Sequence, residues 1–209
     1  MNGSDEMKYS DFDLKHQNQS TESKIVASLE RIAQAFRVLL WQESKTHSLS
    51  PIQVQVLIFL LHHDRENRKV SFLASEFNMS KATISEVVKS LQQKKLIIKT
   101  SEKTDSRSFI IDLSERGREI ATQTSFFTQQ FKVPIDAIHP DDKENMLLGL
   151  MDIIRHLNKS GVIGIQKMCI SCAYYRSNEN GVKHFCNLLN QELQSQELRM
   201  DCPEFSPSH

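Results

Sequence analysis

Cysteine is missing from the first 168 residues of this chain, and glycine is scarce throughout, with 6 in 209 residues. So few and so scattered, the glycines exclude a loop of the kind that wraps nucleotide phosphates. No apolar run approaches the ~20 residues that a membrane-spanning helix needs. The N-terminus is acidic and polar and lacks an apolar signal region, which makes the cytoplasm the expected location. No nucleophile–base pair and no cofactor signature stands out, so the expectation is a protein that is not an enzyme. Net charge is lacking as well, with 26 Lys and Arg against 26 Asp and Glu. A neutral sum by itself argues weakly against a nucleic-acid partner, but the distribution argues for one. Residues 49–114 hold 10 basic against 7 acidic side chains, and within residues 81–107 the ratio is 7 to 3. Phosphates respond to charge within a Debye length, so this local excess counts for more than the sum. The apolar content, 39%, is enough for a substantial core.

The stretch from 80 to 95, SKATISEVVKSLQQKK, organises the rest. At 3.6 residues per turn Ile84, Val87, Val88 and Leu91 form one apolar stripe, while Lys81, Thr83, Ser85, Lys89 and Gln92 project elsewhere. Ser80 is a suitable N-cap, since its hydroxyl can accept from an unpaired backbone N–H. Small, polar and basic side chains on an outer N-terminal face suit a helix that enters a major groove. An ordinary amphipathic surface helix would carry the same pattern, so the flanks decide. Before it, residues 70–77 read as a second short helix with Ser71 as candidate cap and Phe72, Leu73 and Phe77 inward. The Asn78-Met79 turn between the two gives helix-turn-helix spacing. After it, residues 96–100 and Phe109–Leu113 read as two strands joined by a polar tip, a hairpin in the position of a wing.

Residues 49–119 resemble the MarR family of bacterial transcription regulators. The resemblance rests on LSPIQVQVLIFL, on FLASEFNMSKATISEVVKSLQQKKLI and on DSRSFIIDLSERG. The family's wing pattern, Asp-x-Arg, a strand, then Leu-(Thr/Ser)-x-x-Gly, falls on Asp105, Arg107, Leu113, Ser114 and Gly117. The fold this implies is mainly α with a small β-hairpin wing: a winged helix-turn-helix plus dimerisation helices. The partners it implies are double-stranded DNA, read at a palindromic operator, and a second copy of the chain. A small-molecule effector bound between the DNA-reading unit and the dimer helices is a further implied partner, although no polar constellation singles one out. The candidate DNA-facing residues are Ser80, Lys81, Thr83, Ser85 and Lys89 on the helix, with Lys103, Arg107 and Ser108 on the wing.

Around this unit, of about residues 49–114, the chain divides further. Residues 1–20 read as a mostly mobile polar tail, and residues 21–160 as the winged-helix domain with its dimerisation helices. A long helix is expected from Thr21 to about Glu43, its wide stripe of Ile25, Leu29, Ile32, Phe36 and Leu39 partly facing a partner subunit. Ser50-Pro51-Ile52-Gln53 is a helix start with cap, first-position proline and capping box. The helix after it is apolar on most sides and should be central. His62, His63 and Asp64 end it and are read as a solvated helix end, not as metal ligands. After the wing, Ser114 should cap a helix running to about Lys132. Pro134 and Pro140 should bracket a short connection. A last helix to about Asn158 should carry Leu147, Leu150, Ile154 and Leu157 on one face, bound for the dimer interface.

Residues 160–164 are the plausible linker, and residues 165–209 depart from the family pattern. All four cysteines lie here, as Cys169-x2-Cys172-x13-Cys186-x15-Cys202-Pro203. Four soft ligands suit tetrahedral zinc or an iron–sulfur cluster. A tail with few large aliphatics needs a metal's binding energy to fold. The expectation is therefore a small cysteine-rich metal-binding module with Cys169, Cys172, Cys186 and Cys202 as ligands, zinc as the metal and an iron–sulfur cluster as the alternative. His184 is a replacement ligand that four thiols make unnecessary. A metal-free thiol-redox pair at Cys169 and Cys172, or a four-cysteine module for partner docking, are the competing readings. Two structural disulfides do not suit a reducing cytoplasm.

Overall fold

The computed structural model of the chain describes residues 9–101, 109–164, 166–179 and 182–208. It is mostly helical, and its contacts divide it into two compact units. The first comprises Met1–His63, Leu91–Ile98 and Asp112–Gln129, the second Asp64–Ser90, Lys99–Ile111 and Gln130–His209. No described helix is long and apolar enough to cross a membrane.

In the first unit a short helix, α1 (Leu14–Gln19), is capped by Asp13, whose carboxylate accepts from the N–H groups of Lys15 and His16. This helix lies inside the segment expected to be a mobile tail. It leads into α2 (Thr21–Thr46), capped by Ser20. The next helix, α3 (Pro51–His62), buries Val54, Val56, Leu57, Phe59 and Leu60, so it is central, as its all-round apolar sequence requires. Its capping box forms as the sequence spells it: Ser50 Oγ accepts from Gln53 N–H at 3.4 Å and Gln53 Oε1 accepts from Ser50 N–H at 3.0 Å. Helix α3 packs on α2 and on α6 (Glu115–Thr124). Part of the α2 stripe is exposed, at Ile25, Val26, Ile32 and Phe36, and Val38 and Trp41 are exposed on the other side of the helix.

The second unit contains α4 (Val70–Glu76) and most of α5 (Lys81–Gln93). The cap of α4 is Lys69, with no side-chain hydrogen bond, which corrects the expected Ser71. The chain is already helical at Val70, so Ser71 falls within the first turn, past the capping position. Asn78, at φ +51°, closes α4, with Met79 N–H reaching Ala74 O at 2.9 Å. Asparagine tolerates this left-handed conformation better than most residues, so the turn is written in the sequence. Strands β1 (Ile97–Ser101) and β2 (Phe109–Leu113) pair into the expected hairpin.

The helix expected from Ser114 to Lys132 is instead two, α6 and α7 (Gln129–Asp136). The break follows from hydroxyls that bond back to the preceding turn. Thr124 Oγ1 donates to Ile120 O at 2.8 Å and Ser125 Oγ to Ala121 O at 2.6 Å, and such bonds bend and weaken helices. Pro134 sits inside α7 and not in a connection, while Pro140 opens α8 (Pro140–Lys159) at its first turn. Gly161, at φ +74°, ends α8, and Val162 N–H returns to Leu157 O at 3.0 Å.

Beyond it the C-terminal residues form a three-stranded antiparallel meander of β3 (Tyr175–Glu179), β4 (Val182–Cys186) and β5 (Gln191–Glu192). Met168, Cys169, Leu193 and Leu198 bury themselves with Met151 of α8, flanked by Leu147, Leu148 and Ile154. Part of the α8 face expected at a dimer interface is thus covered from within the chain.

Candidate functional site

Helix α5 presents its polar groups as the sequence pattern requires. Ile84, Val88 and Leu91 are fully buried, while Ser80, Lys81, Thr83, Ser85 and Lys89 are exposed. Lys81, Ser85 and Lys89, each four residues from the next, form one row along the helix. Ser80 Oγ accepts from Thr83 N–H at 3.1 Å, so it is the cap, and it also meets Thr83 Oγ1 at 2.8 Å. Ser85 Oγ donates to Lys81 O at 2.7 Å. These hydroxyls keep lone pairs free while their rotamers are held, which favours recognition of a fixed partner geometry. Lys94, in contrast, is spent internally, because its ammonium donates to Ser48 O. The wing candidates Lys103, Arg107 and Ser108, with Asp105, lie outside the described residues.

The end of the family-like motif has a structural explanation. Ser114 N–H donates to Leu96 O at 3.0 Å, and its hydroxyl donates to Lys95 O at 2.8 Å while accepting from Gly117 N–H at 3.0 Å. Gly117 then lies so close to Leu96 that a Cβ there would be 1.9 Å from the Leu96 carbonyl oxygen. Serine and glycine at this spacing therefore lock the start of α6 onto the chain leaving α5.

The second candidate site is built from the cysteines, none of which is in a disulfide. Cys169 opens a short 3-10 turn (Cys169–Ser171) and Cys172 closes it, its N–H bonded to Cys169 O at 2.9 Å. The antiparallel register sets Cys186 beside Tyr175. Cys202 is fixed by its N–H to Lys167 O at 3.0 Å. All four side chains line one cavity of about 130 Å³, together with Tyr174, Leu188, Leu189, Leu193 and Arg199. Burial pushes the Cys169 thiol up from its ordinary pKa. The Arg199 N–H opposes that, and the other three thiols add to it. Among the described residues no group of three or more His, Cys, Asp or Glu side chains is placed to hold a metal ion.

Arg199 escaped the sequence reading. Its backbone N–H donates to Cys169 Sγ at 3.2 Å and its guanidinium reaches Cys202 Sγ at 3.8 Å. No sequence signal beyond its place three residues before Cys202 pointed to it. His184 does not line the cysteine cavity. Its Nδ1 meets Tyr175 Oη at 2.6 Å and its Nε2 meets Ser195 Oγ at 3.2 Å, so both ring nitrogens are engaged. Ser195 Oγ in turn donates to Glu144 Oε1 of α8 at 2.7 Å, which holds that carboxyl below its usual pKa. The strongest role left to His184 is as a link between the meander and α8.

Comparison with known proteins agrees with the fold. The sequence model of the MarR family matches residues 47–108. None of the curated proteins matches the chain. Among solved structures, Staphylococcus aureus MepR in DNA-binding conformation is similar at a TM-score of 0.57 and 19% identity, over 64% of this chain and 98% of that one. The S. aureus MepR–DNA complex is similar at 0.56 and 20%, over 63% and 97%. AbsC, a MarR family transcriptional regulator from Streptomyces coelicolor, is similar at 0.53 and 18%, over 67% and 97%. At these identities the likeness speaks for the fold, and about a third of this chain lies outside it. The helix-turn-helix segment of this chain, residues 47–108, belongs to the MarR family.

Proposed function

We propose that this chain is a transcription regulator that binds double-stranded DNA as a homodimer at a palindromic operator. The carrying observation is the exposed row Lys81, Ser85 and Lys89 on a helix that is anchored by the fully buried Ile84, Val88 and Leu91 and capped at its N-terminus by Ser80. Cationic and small polar groups over the first two turns of such a helix suit phosphates and base edges in a major groove. Similarity of fold to a regulator solved in complex with DNA supports the same reading. The dimer rests on α2, whose exposed Ile25, Val26, Ile32 and Phe36 offer an apolar face for a second copy. The C-terminal module is the part we read as holding a metal through its four thiols.

The test is binding of duplex DNA by fluorescence anisotropy over a range of salt. Lys81→Ala with Lys89→Ala should weaken binding to every sequence and lower the slope of log K against log salt by roughly 0.9 per lost phosphate contact. Arg107→Ala on the wing should lower the slope by about one and leave base preference in place. If neither variant changes affinity or slope, this face of the protein does not meet DNA.

A further inference from the structure

The cavity that the four cysteines line is larger than a single ion needs. Four thiolates around one tetrahedral zinc, each ~2.3 Å from it, stand only about 3.8 Å apart. Yet no three of the described candidate side chains are placed to hold an ion, although all four cysteines face one space. That space, about 130 Å³, is roughly ten times what one water requires on the same measure. Beyond the cysteines its walls combine Tyr174, Leu188, Leu189 and Leu193 with the polar Gln191, Glu197, Arg199 and Glu204. A group of several heavy atoms held by four thiolates fits this description.

Resting on the reading that the module holds a metal, we propose that Cys169, Cys172, Cys186 and Cys202 ligate an iron–sulfur cluster, not one zinc ion. Both common cluster types take four cysteine thiolates, and a Cys-Pro final ligand, as at Cys202-Pro203, occurs in such sites. The protein already provides the donors that tune a cluster's sulfurs. Arg199 gives a backbone N–H to Cys169 Sγ at 3.2 Å and a guanidinium near Cys202 Sγ at 3.8 Å. In the loop between Cys169 and Cys172 the Ser171 hydroxyl is buried and meets no acceptor among the described residues. Four thiolates lining one cavity repel one another. The iron atoms of a cluster supply the positive charge that offsets this repulsion. Cys169 also belongs to the core formed with Met151, so a group held by this thiol would be tied to α8 through that packing.

The experiment is elemental and spectroscopic analysis of the full-length chain purified without oxygen from iron-replete cells, with DNA binding measured on the same preparation. The expected result is iron and acid-labile sulfide in matching amounts, more than one iron per chain, and a broad visible absorption that bleaches on one-electron reduction by dithionite. Cys186→Ser should lose the colour. Arg199→Ala, which keeps the backbone N–H, should retain iron and shift the cluster's potential to more negative values, because a positive charge near it is gone. A colourless protein with one zinc and no iron overturns the proposal, and so does one with no metal and oxidisable thiols. Either outcome leaves the DNA-binding reading intact, since affinity is read separately. Loss of DNA binding with iron present would sink that reading and spare this one.

Discussion

Replacing Gly117 with alanine is expected to lower the stability of the protein by about 2 kcal/mol, with a fall in Tm of roughly 4–8 °C. The added methyl would stand 1.9 Å from the Leu96 carbonyl oxygen and 2.9 Å from its carbon, both backbone atoms that cannot rotate away. Leu96 O is held in place by Ser114 N–H, and Ser114 is the cap of α6, so relief requires breaking the cap or displacing the helix. Overpacking costs about 1–3 kcal/mol and sometimes more. Alanine's better helix propensity returns about 0.5–1 kcal/mol, which is not enough. Gly149 provides the control. It lies in α8, where an added Cβ would meet nothing within 4 Å, so Gly149→Ala should stabilise by about 0.5–1 kcal/mol. Denaturation by urea or heat gives both values. Equal effects of the two substitutions would mean that the close approach of Gly117 to Leu96 is not real.

Met151→Ala is expected to be at least as costly, at about 2–4 kcal/mol. Met151 is fully buried among Met168, Cys169, Leu193 and Leu198, so truncation opens a cavity where α8 meets the C-terminal module. The polar contact from Glu144 through Ser195 to His184 would be left as the main tie. Amide exchange should therefore quicken across residues 166–208 while the Val54–Leu60 region of α3 stays protected, a local loss and not a global one. Unchanged exchange in the module would contradict the packing. Because Cys169 belongs to the same cluster, a change at the thiol site bears directly on α8.

The helix-turn-helix segment was largely legible because its information is local. Ser50-Pro51-x-Gln53 writes a capping box, Asn78 writes a left-handed turn, and the spacing of Ile84, Val88 and Leu91 writes a buried face. Strand β2 falls on Phe109–Leu113 as expected. Failures came where local rules compete. Ser71 looks like a cap but lies inside α4, and the Thr124-Ser125 hydroxyls divide a helix whose apolar period runs on uninterrupted. The cysteine spacing announced a four-thiol site, and all four line one cavity. The roles of Arg199 and His184 come from long-range contacts, which no local pattern encodes. The covering of α8 by Met168, Leu193 and Leu198 was hidden for the same reason.

The central claim, a dimer that reads an inverted repeat through α5, is tested most directly by selecting bound duplexes from a random-sequence pool with the full-length protein. The account predicts enrichment of an inverted repeat with half-site centres about 10 base pairs, or a whole number of turns, apart. It also predicts that Lys81→Ala with Lys89→Ala abolishes that enrichment. A pool that stays random, or one that enriches a single unrepeated site equally well with the double variant, would contradict it.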